Sequence, residues 1–295
     1  MAMAGRWTIA LGGHVLLDPE VVRRAIRAII PIFGNQGGVI VHGNGPQVGN
    51  LLLQTPKLLI DVAVAETQAL IGYELVRQLD AAVGGRRAIA ILSRVLVNPE
   101  ITTLRKPIGP IFSRSKAKSL AKLRRWDIGM DPGRGYRRWV PSPKPMCVVE
   151  EKAVRFLADA GWIVVAGGGG GIPTYRAEGI EAVVDKDWTA MLLAVATQSE
   201  RLGFLTSVPC VYENFGSEST KPLSFLTPKK ARQLLAQRAF AEGSMAPKIE
   251  AACLFVERTG GRALITDLEH LDAALESHAG TWIEEPKPFN SKATL

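Results

Sequence analysis

The stretch VHGNGPQVGN, Val41 to Asn50, places three glycines, two asparagines and a proline at the end of the apolar run GGVIV. That run predicts a buried strand, since a short β-branched segment bounded by turn residues is typical of one. Glycine lets a backbone approach a ligand closely or adopt positive φ, at an entropic cost of up to about 1 kcal/mol per residue. Two interpretations stay open for this stretch alone: a cradle for a bound phosphate, or a tight strand-to-helix turn.

The same kind of ending recurs at two other predicted strands. Gly12 and Gly13 follow the apolar run that begins at Trp7, and Gly167 to Gly171 follow the run WIVVA. In open α/β sheets, ligands bind beyond the carboxyl ends of the parallel strands. Three glycine-rich exits at one edge of a sheet therefore favour the phosphate cradle over three unrelated turns.

Strand-like and helix-like segments alternate along the chain. The predicted strands are 7–13, 37–43, 86–97, 162–173, 201–208, 262–267 and 280–285, and the predicted helices are 19–30, 47–54, 61–83, 148–161, 187–197, one or two within 227–258, and a short one before the last strand. This alternation predicts the α/β class, as a three-layer α/β/α sandwich around a mainly parallel sheet. The segment at about 99–145 has many prolines and few long apolar runs, which predicts a small protruding lid subdomain rather than a strand of that sheet.

Composition is that of an ordinary globular protein. The chain has 295 residues, 47% of them hydrophobic and 22% charged, and no apolar stretch near the roughly 18 residues needed to span a bilayer. The apolar run near its N-terminus is too short for a signal peptide. Cys147, Cys210 and Cys253 form no CxxC pair, so we expect neither a disulfide framework nor a zinc site, and we expect a reducing cytoplasm without membrane association.

The formal charge of +8 comes from one segment. Residues 104–138 contain eleven Lys or Arg and two Asp, whereas the rest of the chain is nearly neutral. Such a segment either binds nucleic acid or attracts small anions to a site. Its aromatic residues are compatible with the first interpretation, but no RNP, zinc-finger or helix-turn-helix signature accompanies them. We therefore expect a small anionic substrate and no nucleic-acid partner.

Familiar catalytic fingerprints are missing. The chain contains no G-x-x-x-x-G-K-[ST], and neither glycine loop reads G-x-G-x-x-G, which argues against an ordinary P-loop NTPase and a dinucleotide-binding oxidoreductase. It has four histidines, no HExxH, and no Ser-His-Asp or Cys-His set at a recognisable spacing. The sequence therefore predicts phosphate chemistry of another kind and leaves any metal ligands unknown.

Longer motifs point to a family. ALGGHVL, VHGNGPQVGNLLLQ, KPIGPIFS, GRGYRRWVPSPKP, GGGGIP, EAVVDKDW and GSMAPKIEAACLFVE occur in this order from about residue 8 toward the C-terminus. Together they resemble the successive motifs of carbamate kinases, which belong to the amino acid kinase superfamily. The resemblance implies reversible phosphoryl transfer between ATP and carbamate, an acceptor-substrate lobe over 1–185, a nucleotide-binding lobe over 186–295, and a homodimer.

The resemblance also implies roles for particular residues. Three lysines of the KPIGP, DKD and PK motifs would neutralise the charge of the transferring phosphoryl group: Lys106, Lys186 and Lys248. Asp187 would orient them. The glycine loops would bind the phosphate and the acceptor through Gly12, Gly13, His14, Gly43, Asn44, Gly45, Gly168, Gly169 and Gly170. Adenine nucleotide, as ATP or ADP with Mg²⁺ on its phosphates, would bind at Thr206, Ser207, Val208, Tyr212 and Met245.

One position departs from the family pattern. His14 stands where carbamate kinases usually have asparagine, so it either donates to a phosphate oxygen, marks a changed acceptor or lost catalysis, or only caps a turn. The absence of an obvious catalytic base fits carbamate, whose attacking oxygen is already anionic, and counts against alcohol or sugar kinases. Two alternatives remain: a kinase of the same superfamily that forms another acyl phosphate or uses another small acid, and a catalytically silent regulatory member.

Overall fold

Strands and helices alternate in this computed structural model, which describes residues 5–13, 15–85, 87–101, 104–131, 135–215, 219–241 and 243–286. The strands are β1 (Trp7–Leu11), β2 (Gly38–His42), β3 (Ala88–Ala90), β4 (Arg94–Val97), β5 (Arg105–Phe112), β6 (Ile128–Asp131), β7 (Gly135–Pro141), β8 (Pro145–Val148), β9 (Ile163–Val165), β10 (Ile172–Tyr175), β11 (Glu178–Gly179), β12 (Arg201–Leu205), β13 (Val211–Glu213), β14 (Lys221–Leu223), β15 (Phe225–Leu226), β16 (Arg262–Thr266) and β17 (Thr281–Ile283). The helices are α1 (Pro19–Phe33), α2 (Gly45–Gln54), α3 (Ile60–Val83), α4 (Arg114–Arg124), α5 (Glu151–Asp159), α6 (Lys186–Ala196), α7 (Pro228–Ala236), α8 (Met245–Thr259) and α9 (Leu271–Leu275).

The main sheet has eight strands in the order β15-β17-β16-β12-β1-β2-β9-β3. Every neighbouring pair in it is parallel except β16 with β17, which confirms the prediction of a mainly parallel sheet. Residues 1–185 supply β1, β2, β9 and β3, and residues 186–295 supply the other four strands. The two predicted lobes therefore share one continuous sheet, joined where β1 pairs with β12.

Helices cover both faces of this sheet, as predicted. Alternate residues of a strand point to opposite faces. On β2, Val39 and Val41 pack into the core formed with α5, α6, α7 and α8, whereas Ile40 packs into the core formed with α1, α3 and α9. These two cores make the three layers of an α/β/α sandwich. Among the described residues, no helix is both long enough and apolar enough to cross a membrane.

The predicted strand over 86–97 is divided in two. β3 stays in the main sheet, whereas β4 joins a separate four-stranded sheet in the order β11-β10-β4-β8. Gln68 of α3 holds the break between them, since its Oε1 accepts from the backbone N–H of Ser93 at 2.6 Å and its Nε2 donates to the carbonyl of Gly168 at 2.7 Å. The side chain of Gln68 thus satisfies backbone groups at the point where the predicted run leaves the main sheet.

The predicted lid supplies no strand to the main sheet, but it has a sheet of its own. β5, β7 and β6 pair antiparallel, and α4 packs on them through Ala117 and Leu120. The root of the lid is apolar: Ile108 and Val140 are buried in one cluster with side chains of α2 and α3, among them Val48. This apolar cluster packs the lid against α2 and α3, beside the loop that follows β2.

Candidate active site

Three glycine loops leave neighbouring strands at the same edge of the sheet. Gly12 and Gly13 follow β1, the loop at Gly43 follows β2, and Gly167 to Gly171 come after β9, and these strands are adjacent and parallel. A methyl group built on Gly43 would lie 3.1 Å from the amide nitrogen of Gly13 and 3.5 Å from Cδ of Lys186. The first two loops therefore touch through bare backbone, with a lysine stem beside them.

The third loop interlocks with the second through glycine as well. Gly169 and Gly170 have positive φ, at 67° and 91°, a region that side chains rarely adopt. A methyl group on Gly169 would overlap the side chain of Asn44, and one on Gly170 would overlap the carbonyl of Val184. Asn44 in turn donates from Nδ2 to the hydroxyl of Thr67 at 2.9 Å. The side chain of Asn44 therefore holds the loops together.

Only some of the backbone N–H groups at this edge lack a partner within the protein. The N–H of Gly12 donates to the carbonyl of Leu205 at 3.0 Å, and that of Gly43 donates to Leu11 at 3.2 Å, so neither is available to a ligand. The N–H groups of Gly13, Asn44 and Gly45 have no hydrogen-bond partner among the described residues. Because α2 begins at Gly45, the positive end of its dipole lies at the same place, and the free N–H groups and the dipole both favour an anion there.

A buried charged cluster lies next to these loops. Asp185 caps the N-terminus of α6, accepting from the N–H of Asp187 at 3.0 Å, and so places Lys186 and Asp187 in the first turn. The carboxylate of Asp187 binds the Nζ atoms of both Lys186, at 2.5 Å, and Lys248, at 2.9 Å. Lys248 comes from the first turn of α8 and also donates to the carbonyl of Ser244. The structure thus brings three of the predicted catalytic residues together.

The positive and negative charges of this cluster do not balance, and burial together with this imbalance shifts the pKa values of its side chains. Burial by itself would raise the pKa of Asp187. The positive charges of Lys186, Lys248 and Lys106 outweigh burial and hold that pKa well below its usual range. Burial lowers the pKa of Lys186, because Asp187 compensates only part of that cost and Lys248 adds repulsion. For Lys248 burial acts in the same direction, but Asp187 and Asp185 outweigh it and raise the pKa. Two buried lysines share one carboxylate, so the site is short of negative charge.

The fourth predicted catalytic residue reaches the cluster from the lid. Lys106 of β5 forms an ion pair with Asp185, and its side chain is 31% exposed where that of Asp185 is 10% exposed. Asp185 was not among the residues singled out from the sequence, although the DKD motif places an aspartate on either side of Lys186. Three lysines thus face two aspartates, an excess of one positive charge that an anionic ligand would offset.

The residues predicted to bind the nucleotide lie in three places. Thr206, Ser207 and Val208 follow β12, which is the neighbour of β1, so they continue the edge from which the glycine loops leave. Met245 begins α8, one turn before its buried lysine. Tyr212 lies on β13, in a separate two-stranded sheet. His14 lies outside the described residues.

A second lysine ties the root of the lid to the core. Lys144, between β7 and β8, donates from Nζ to Oε1 of Glu250 on α8 at 2.9 Å. The same Nζ lies 4.1 Å from the ring centroid of Trp188 on α6. Sequence reasoning quoted all three residues inside motifs but gave them no role, because only the fold shows that they meet. The described residues contain no group of three or more His, Cys, Asp or Glu placed to hold a metal ion.

Comparison with known proteins agrees with this geometry. The sequence model of the amino acid kinase family matches residues 5–267. This chain belongs to the amino acid kinase family. Within it, the kinase is 39% identical to the carbamate kinase of Haemophilus influenzae, with 94% of this chain and 96% of the relative aligned, and 37% identical to that of Lentilactobacillus hilgardii, with 95% and 98% aligned.

Solved structures place the kinase in the same group. The carbamate kinase from Giardia lamblia bound to citric acid superposes with a TM-score of 0.88 at 30% identity, covering 97% of this chain and all of that one. An isopentenyl phosphate kinase, at a TM-score of 0.56 and 15% identity, shares the fold alone. The resemblance inferred from the motifs, the α/β fold and the assignment to ATP-dependent phosphotransferases of the carbamate kinase type are confirmed.

Proposed function

We propose that this kinase transfers a phosphoryl group reversibly between ATP and carbamate, making or consuming carbamoyl phosphate. One observation carries the proposal: the carboxylate of Asp187 holds Lys186 and Lys248 at the edge where the glycine loops meet, while the lid adds Lys106. Phosphoryl transfer is mainly positioning plus neutralisation of charge on the transferring oxygens, which is what such a cluster supplies.

The reaction needs little else from the protein. The free N–H groups at Gly13 and Gly45 and the start of α2 would hold phosphoryl oxygens, while the three lysines spread over the remaining charge. The attacking oxygen of carbamate is anionic, so no group has to remove a proton from it. The excess positive charge of the cluster therefore suits the binding of an anionic substrate. No residue of the cluster has to accept a proton from that substrate.

The nucleotide subsite and the metal are part of the same proposal. ATP or ADP would lie against Thr206, Ser207 and Val208 after β12, with Tyr212 and Met245 beside it. Mg²⁺ would be held chiefly by the phosphates, because both Asp185 and Asp187 already bind lysines. When bound, the metal would offset part of the negative charge of the phosphates.

We further propose that residues 1–185 bind the acceptor and 186–295 the nucleotide, that two copies form a homodimer, and that the protein is cytoplasmic. The thiols of Cys147, Cys210 and Cys253 are all free, which suits a reducing compartment.

The test follows ATP by luminescence after purified protein is mixed with MgADP and carbamoyl phosphate. We expect ATP formation by the wild-type protein and a loss of about 100-fold or more in kcat for Lys248→Ala, the usual scale for removing one donor to the transition state. Lys152→Ala removes an exposed lysine of α5 that forms no ion pair with the described residues, and it should leave the rate unchanged.

The other outcomes separate the alternatives. A folded protein that binds ADP but makes no ATP from carbamoyl phosphate would reject carbamate as its acceptor and favour another small acid. A folded protein that binds no adenine nucleotide would favour a silent regulatory member of the family. Wild-type activity in Lys248→Ala would remove that lysine from the mechanism.

A further inference from the structure

Helix α2 contains a glycine, Gly49, in its interior, where helix formation alone would favour another residue. Gly49 lies in the fifth position of the ten-residue helix, and its φ is not positive. Alanine is the better helix former at such a position, because glycine loses more backbone entropy. None of the phosphate contacts proposed above uses Gly49. The presence of glycine at position 49 is therefore explained by what packs against the helix there.

The partner of Gly49 is a second glycine, on the lid. A methyl group built on Gly49 would overlap the Cα and amide nitrogen of Gly109 and lie 3.1 Å from the carbonyl carbon of Ile108. A methyl group on Gly109 would lie 3.1 Å from the Cα of Gly49. Gly109 also has a φ of +73°, which side chains rarely adopt. The two backbones therefore meet with no side chain between them.

The backbone contact between Gly49 and Gly109, called the glycine seam below, lies close to Lys106 on the same strand as Gly109. Lys106 and Gly109 are three residues apart on β5, and Ile108 between them is 2% exposed and packs in the apolar cluster with Val48. Alternate residues of a strand share a face, so Lys106 and Ile108 project to the same side. A shift of Gly109 relative to α2 would therefore move the strand that carries Lys106, whose Nζ pairs with Asp185.

We infer that Gly49 and Gly109 form the docking seat of the lid and are positioning residues for Lys106; the catalytic part of this inference rests on the proposed function. A methyl group in the seam forces α2 and β5 apart by more than about 1 Å, since non-bonded carbon atoms rest at about 3.5–4.0 Å. Lys106 then stands too far from the transferring group. A displacement of this size costs about 100-fold in rate.

The first experiment compares Gly49→Ala with Gly85→Ala, which adds the same methyl group where nothing lies within 4 Å. We expect kcat for ATP formation to fall about 100-fold in Gly49→Ala, with the Kd for MgADP unchanged. The second readout is independent of activity: acylation of Lys106 by an amine-reactive reagent, measured by mass spectrometry. Lys106 should react several-fold faster in Gly49→Ala than in the wild type or in Gly85→Ala.

A lid-side variant covers the case in which Gly49→Ala does not fold. Gly109→Ala alters the same seam outside the core, and Gly135→Ala is its control, since Gly135 has a φ of +125° on the lid but packs against Ile111. Faster labelling of Lys106 in Gly109→Ala alone supports the seat. Wild-type labelling of Lys106 in whichever seam variant folds overturns it.

The two proposals fail separately. A wild-type protein without carbamoyl phosphate activity would reject the proposed function, and the labelling of Lys106 would still decide whether the glycine seam seats the lid. Full activity with faster labelling in the seam variants would reject the positioning role and keep the seat. Full activity with unchanged labelling would reject both parts of the inference.

Discussion

At the scale of single residues, His42 is the most confined titratable group near the site. It ends β2 inside the motif that follows this strand, and none of its surface is exposed. Its Nδ1 lies 3.0 Å from the carbonyl of Gly43, so Nδ1 bears the proton and donates. Nε2 has no hydrogen-bond partner among the described residues and faces Gly168 of the third glycine loop. Burial outweighs the bond to Gly43 and lowers the pKa of His42 to about 4.

This burial predicts a pH dependence of stability. The unfolded chain binds a proton at His42 below about pH 6.5, whereas the folded chain does not until about pH 4. The contribution of His42 is therefore complete above pH 6.5 and is lost as the pH falls toward 4, with a total of about 3 kcal/mol. The free energy of unfolding, measured in urea between pH 4 and 7, should show this loss in the wild type and not in His42→Gln.

A matched control guards against other groups that titrate in this range. His278→Gln removes a histidine whose side chain is 75% exposed, and its curve should follow that of the wild type. If the curves for wild type and His42→Gln run parallel over the whole range, His42 is not held neutral by the fold.

At the scale of elements, Lys144 joins three parts of the molecule. It lies between β7 and β8 at the root of the lid, and it binds Glu250 of α8 and the ring of Trp188 of α6. These are the two helices that carry the buried lysines. Both charged partners are partly exposed, at 46% and 35% of their side chains, so solvent screens the ion pair.

A double-mutant cycle in the free energy of unfolding measures this tie. The variants are Lys144→Ala, Glu250→Gln and both together. For an exposed ion pair we expect a coupling energy of about 0.5 kcal/mol, near the middle of the usual range. Trp188→Leu should reduce the cost of Lys144→Ala by a similar amount, because the cation–π contact is lost in both. If the effects are additive both for Lys144 with Glu250 and for Lys144 with Trp188, then neither contact of Lys144 contributes to stability.

Local patterns predict the elements well where burial follows chain order. The predicted helix 61–83 matches α3 to within one residue, because apolar residues at helical spacing face the core. Helix α1 runs on to Phe33, beyond the predicted end at residue 30 and past Pro31, because Ile32 and Phe33 are buried. The lid's own sheet was missed, because prolines and charges hide the alternation in β5 and β7.

At the scale of the whole molecule, contacts between distant parts of the chain are what sequence reasoning could not supply. The glycine loops could be placed at one edge, since parallel strands end together. The pairing of Lys106 with Asp185 could not, because it depends on where the lid docks, and the lid docks through Gly49 and Gly109. The motifs contain each of these residues, but motif order says nothing about distance.

The edge of the main sheet at β3 predicts how two copies meet. β3 is the last strand on that side: the described residues place no further strand beside it, and the N–H of Ala88 donates to Oδ1 of Asp80. Large apolar side chains are exposed near it: Leu70 (65%) and Tyr73 (66%) on α3, and Leu92 (53%) just after β3. A cavity of about 340 Å³ lies between α3 and β3, lined in part by Tyr73 and Leu92. An apolar, recessed sheet edge of this kind suits a self-complementary partner, so we place the proposed homodimer here.

Light scattering after gel filtration tests this placement. The wild type should have twice the 31.9 kDa mass of one chain, and Leu70→Glu combined with Tyr73→Glu should give the single-chain mass, because burying two carboxylates in an apolar interface is costly. Phe156→Glu places the same charge on an equally exposed apolar position of α5, at 73%, and should remain dimeric. A dimer that survives the double substitution but not Phe156→Glu would move the interface to α5. The glycine loops and the three lysines of the site all come from one chain, so we expect the monomeric double variant to keep its kcat, which separates assembly from catalysis.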